Sequence, residues 1–181
     1  SELEKVLEDV ERRLRELKER NDRVLEEITK IHEDAKREND EVLKEISRAH
    51  KEATEELERK IGDKKRLEEL KKELEKHNKE IEDSVRELKK KLRKHNEDLR
   101  KSVEEMKEEL ERALKEVREV IRDSSLEELR RKLKELEERS ERHLEELRRS
   151  AETVLRESRE HLRRLEDSLR RVRKKVKEET D

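Results

Sequence analysis

The sequence has no cysteine, no proline, no phenylalanine, tyrosine or tryptophan, and one glycine, Gly62. Without cysteine there is no disulfide, thiolate metal site or thiol nucleophile, and redox chemistry says nothing about compartment. With one glycine and no proline, places where the chain can turn are few. Without aromatic rings there is no stacking platform for single-stranded nucleic acid. Lys and Arg number 53 against 55 Asp and Glu, a formal net charge of -2, so the basic excess that a phosphate backbone requires is missing too. No apolar run approaches the roughly 18 residues of a membrane span, and no signal peptide or targeting segment is read, so a soluble chain of unassigned localisation is expected. Glycine-rich loops and nucleophile elbows are absent, and the many carboxylates fall on solvated faces. The expectation is therefore no enzyme, no cofactor, and no nucleic-acid, membrane or small-molecule partner.

What the chain has is charge, on 60% of its 181 residues, against about 25% in ordinary domains. Such a composition fits disorder or long helices, and periodicity decides between them. Leu3, Leu7, Val10, Leu14, Leu17, Val24, Ile28, Ile31, Ala35, Val42, Ile46, Ala49, Ala53 and Leu57 recur at spacings of three and four. That is one amphipathic stripe sustained to Ile61. The predicted elements are helix 1 over about 2–61, helix 2 over about 64–121 and helix 3 over about 126–177. Ser1 with Glu4 and Ser125 with Glu128 read as capping boxes. Gly62 suits the left-handed position after a helix and Asp63 the next N-cap. The second break is Arg122-Asp123-Ser124-Ser125. Connections this short imply antiparallel neighbours. The fold expected is all-α: one elongated, straight, up-down-up three-helix bundle over residues 1–181, its helices roughly 80 to 90 Å long at 1.5 Å per residue.

Straightness follows from an 18-residue repeat. The stretch LEKHNKEIEDSVRELKKK from Leu74 and the stretch LRKHNEDLRKSVEEMKEE from Leu92 align His on His, Asn on Asn and Ser on Ser. Eighteen residues make five whole turns, so Leu67, Val85, Val103 and Ile121 lie on one line without supercoiling.

The same repeat places polar residues on the apolar stripe. The histidines come as His32 and His50, His77 and His95, and His143 and His161. Asn21 and Asn39, Asn78 and Asn96, Ser84 and Ser102, Ser140 and Ser158, and Ser150 and Ser168 share the spacing. Hydrogen bonds among them are expected, because a buried unpaired polar group costs about 1 to 3 kcal/mol. Counting heights from the two breaks puts His32 level with His95, Asn96 and Ser150, and His50 level with His77, Asn78 and Ser168. It puts Asn21 level with Ser102 and His143, and Asn39 level with Ser84 and His161. These are polar layers about 14 Å apart at the rise of a helix. A three-histidine zinc site is disfavoured, since His143 and His95 are separated by about 13 Å of axial rise; no metal is expected.

Histidines in such layers suggest a pH sensor. An imidazole held neutral by desolvation gives full stability above the unfolded value near 6.5, and stability is lost as pH falls from there toward the folded value. A histidine that cannot protonate when folded costs about 2 kcal/mol at pH 5, and six cost at most about 12 kcal/mol. Six protons would move the formal charge from -2 to +4.

The 18-residue repeat, the Glu/Lys/Arg surface, the minimal Gly-Asp and Asp-Ser-Ser breaks and the His-Asn-Ser layers resemble de novo designed helical bundles. More narrowly, the chain is similar to pH-responsive designs with buried histidine hydrogen-bond networks, among them subunits of designed protein filaments. The resemblance implies a structural protein whose fold and homo-assembly depend on pH, partnered by itself as a homo-oligomer or filament that disassembles in acid. A static monomeric designed scaffold is the alternative, and a histidine-based metal-binding bundle a lesser one. The apolar residues stay within the core arcs, and only edge positions such as Leu25, Leu43 and Leu155 could reach a contact.

Overall fold

A computed structural model describes residues 1–120 and 126–181, apart from the side chains of Arg118 and Val120. The described residues form three α-helices and no strand: α1 (Glu2–Lys60), α2 (Lys64–Val120) and α3 (Leu126–Thr180). The second predicted break, with the Ser125–Glu128 box, lies outside the described residues.

Local chemistry explains the ends. The Glu4 amide donates to Ser1 Oγ at 3.3 Å while Glu4 Oε2 approaches the terminal ammonium at 3.6 Å, so both halves of the first capping box engage. Arg59 and Lys60 occupy the last turn of α1, where cations oppose the helix dipole. Asp63 caps α2, its Oδ1 accepting from the Lys65 amide at 3.1 Å and its carbonyl from the Leu67 amide at 2.9 Å. α3 runs three residues past the expected 177. There the Thr180 hydroxyl donates to the Val176 carbonyl at 3.0 Å and to the Lys177 carbonyl at 3.1 Å, and so satisfies acceptors that a fraying end would leave to water.

Gly62 departs from expectation. Its φ is not positive, so α1 does not end in a left-handed cap. A Cβ built on Gly62 would meet nothing within 4 Å. Gly62→Ala is therefore expected to stabilise the protein by about 0.4 to 1 kcal/mol, by restricting the unfolded chain. Urea denaturation monitored by circular dichroism measures it; a loss of stability would mean that the turn needs glycine.

The chain falls into two compact units. Unit 1 comprises Ser1–Ile31 and His95–Thr153. Its core joins Val10, Leu14 and Ile28 of α1 to Val103 and Leu110 of α2 and to Leu133 and Leu144 of α3. Unit 2 comprises His32–Lys94 and Val154–Asp181. It has two clusters, one around Ile46, Val85 and Leu162 and one around Leu57, Leu74 and Val176. Burial of this stripe is the favourable term that holds each unit together, at roughly 25 cal/mol per Å² of apolar surface.

Ion pairs between helices repeat with the sequence. Between α1 and α2, Lys107 pairs with Asp22 in unit 1, and Lys89 with Asp40 and Lys71 with Glu58 in unit 2. Each step is 18 residues up α1 and 18 down α2. Between α1 and α3, Arg20 pairs with Glu141 in unit 1, and Glu38 accepts a bidentate Arg159 in unit 2. That step is again 18 residues, with the charges exchanged. A one-repeat slip of α1 against α3 would set Arg20 beside Arg159. These exposed pairs contribute little to stability and more to choice of register.

Candidate functional site: the polar layers

The layers are built on facing helix positions, and two of them close between α2 and α3. In unit 1, His95 Nε2 lies 3.2 Å from Ser150 Oγ. In unit 2, His161 Nε2 lies 3.0 Å from Ser84 Oγ. The second was expected from the loop-derived heights, and so was the first. Each hydroxyl can donate to an unprotonated Nε2 or accept from a protonated one, so serine tolerates either charge state.

The repeat predicts equivalents of both bridges, Ser102 with His143 and His77 with Ser168. Among the described residues neither is hydrogen-bonded. His77 is exposed, and Ser102, His143 and Ser168 are half-buried.

Asparagine occupies the inner line instead. Asn21 and Asn39 are both 0% exposed. Asn21 Nδ2 donates to the Val103 carbonyl at 3.1 Å rather than to Ser102 or His143. Asn39 Nδ2 donates to the Ala35 carbonyl of its own helix at 2.7 Å and to Ser158 Oγ at 3.3 Å. Ser158 and Ser140 are buried as well. Ser140 donates to Met106 Sδ at 3.3 Å. Met106 stands where the previous repeat has Leu88, so the departure from repetition marks the changed bond, and comparison of the two copies could have found it. Asn96 is buried and Asn78 half-buried.

None of the six histidines is fully buried, against the expectation of a core location. His32, His50, His95, His143 and His161 are half-buried. They hold the edges of the stripe, not its inner line. The imidazoles span its boundary with solvent. Oδ1 of Asn21, Asn39 and Asn96, all acceptors, and Nδ1 of His50 are buried without a hydrogen-bond partner. Each such group costs about 1 to 3 kcal/mol.

Comparison with known proteins finds no match to a family model, a curated protein or a solved structure. The site is therefore judged on its geometry. No group of three metal-ligating side chains converges among the described residues, and none of their helices is long and apolar enough to cross a membrane.

Shifted titrations lie on the surface. A hydrogen bond from Lys18, then its charge, holds the Glu111 carboxyl below the ordinary range; Arg148 does the same for Glu145. Both groups favour the fold above the ordinary carboxylate range, and their contribution is lost as pH falls through their lowered values.

Proposed function

We propose that this chain is a non-catalytic structural protein of the designed type, an up-down-up three-helix bundle whose His-Ser and Asn layers set helix register and make the fold sensitive to acid. The observation that carries this reading is the pair of α2–α3 bridges, His95–Ser150 and Ser84–His161, one in each unit. Histidine sits on α2 in one bridge and on α3 in the other. The up-down-up course is supported by ion pairs that descend α2 as they ascend α1.

Acid acts through charge, since the bridging serines can accept from a protonated ring as readily as they donate to a neutral one. Protonation turns the acceptor nitrogen of a half-buried imidazole into a donor and adds a positive charge at the helix boundary. Around His95 the charged positions one turn away are Lys91 and Asp98 on α2 and Glu146 beside Ser150 on α3; around His161 they are Glu157 and Arg164 on α3 and Glu80 and Glu87 beside Ser84 on α2. The mixed signs and the half-exposure moderate the response, so it is spread over several histidines.

Self-assembly is part of the same reading and rests on the resemblance to designed filament subunits. Light scattering and electron microscopy at pH 8 and pH 4 test it: a filament or oligomer at pH 8 that is lost at pH 4 is expected, and one monomeric size at both would leave a static scaffold. A double-mutant cycle tests the bridge itself. His95→Ala and Ser150→Ala are expected to couple by about 0.5 to 1.5 kcal/mol at pH 8. Strict additivity would mean that the contact sets no register.

A further inference from the structure

Unit 1 contains a layer in which the repeat is broken. Eighteen residues after His95 stands Ala113, 18 before Ser150 stands Lys132, and 18 before His32 stands Leu14. Where the repeat would set a bulky imidazole against a hydroxyl, α2 carries a methyl group. A cavity of about 140 Å³ opens at this place, walled by Leu14, Val117, Leu129 and Leu133 around Ala113. Its mouth lies between the exposed Glu116 and Lys132.

We propose that this cavity is a binding site for an uncharged single-ring aromatic molecule of the size of benzene. The absent group is itself a ring: the register places imidazole here and alanine leaves its volume empty. The walls are aliphatic apart from Glu116 and Lys132, which favours an apolar ligand. An engineered, fully enclosed apolar cavity of about 150 Å³ takes up benzene, so a volume of this order holds one ring, here with one side open to solvent. Lys132 and Glu116 close the mouth with flexible stems whose methylenes can cover the ring edge while their charges stay in water. Small-ring binders use few atoms, so affinity is modest. The site is independent of the acid response, because no histidine lines it.

The chain has no aromatic residue, so any ring-current shift in its methyl spectrum comes from the ligand. Methyl NMR of the full chain at pH 8, titrated with benzene, is the test. Saturable shifts are expected at Leu14, Val117 and Leu133, with small, unsaturated shifts at Ile46 and Val85 of unit 2. Ala113→Leu, which fills the cavity, is expected to weaken binding at least tenfold; Ala113→Val serves if circular dichroism shows the leucine variant unfolded. Unsaturated shifts at the cavity methyls, equal shifts in both units, or unchanged affinity in the filled variant would each overturn the assignment.

Discussion

Helical content is expected to hold from pH 8 to about pH 7, to fall between about pH 6.5 and 5, and to fall much later in a variant with all six histidines replaced by asparagine. Imidazole ordinarily gains its proton near pH 6.5, and five of the six here are half-buried, two of them bridged to serine. Full burial of all six would give at most about 12 kcal/mol at pH 5. With five of the rings half-buried and His77 exposed, the effect is smaller than that ceiling and the transition broader. Carboxylates are the competing sensors. They titrate near pH 4, and Glu111 and Glu145, held lower by Lys18 and Arg148, give way later still. Asparagine cannot gain a proton in this range, so the variant's transition is expected near pH 4. A circular-dichroism titration of both proteins decides it; an unchanged midpoint would reduce the histidines to fillers. His77 alone is expected to contribute least, being exposed.

The repeat carried a great deal of this in one dimension. A strict 18-residue spacing marks which residues share a line, and Asp63 and Ser1 mark starts, so the end of α1 and the start of α2 lie within one residue of expectation, while α3 runs beyond Lys177. There the apolar rhythm stops at Val176, yet a hydroxyl at Thr180 prolongs the helix. Heights counted from the breaks were good enough to bring Ser84 to His161. Depth was less legible. Stripe membership does not separate the inner line, where Asn21 and Asn39 lie, from its edges, where the histidines lie. That distinction depends on how far three helices close around their contact, which periodicity does not encode. Gly62 shows a similar limit: glycine permits a left-handed cap without requiring one.

The second large effect is expected from a single atom in the inner line. Asn39→Asp keeps shape and replaces Nδ2, which donates to the Ala35 carbonyl and Ser158 Oγ, with an oxygen. At 0% exposure the new carboxylate would face the Ala35 carbonyl and the Ser158 hydroxyl in place of water. A buried unpaired charge of this kind costs about 3 to 5 kcal/mol. Burial raises the carboxyl's folded value above its unfolded value near 3.9, so the protonated acid is the form compatible with the fold. Its stability relative to the parent is therefore fully present below about pH 3.9, is lost as pH rises through the folded value, and stays low at pH 7. That trend is opposite to the one expected from histidine. Asn39→Leu is expected to behave differently. Combined with Ser158→Ala, so that no buried hydroxyl loses its donor, it removes an acceptor, Oδ1, that is buried without a partner, adds apolar contact, and is expected to leave stability unchanged or raised, as replacing both partners by apolar groups does. Urea unfolding of both variants at pH 7, with the aspartate variant repeated in acid, measures the pair. A leucine variant less stable than the parent would mean that the Asn39–Ser158 contact holds the fold through its own strength and not through the register it selects.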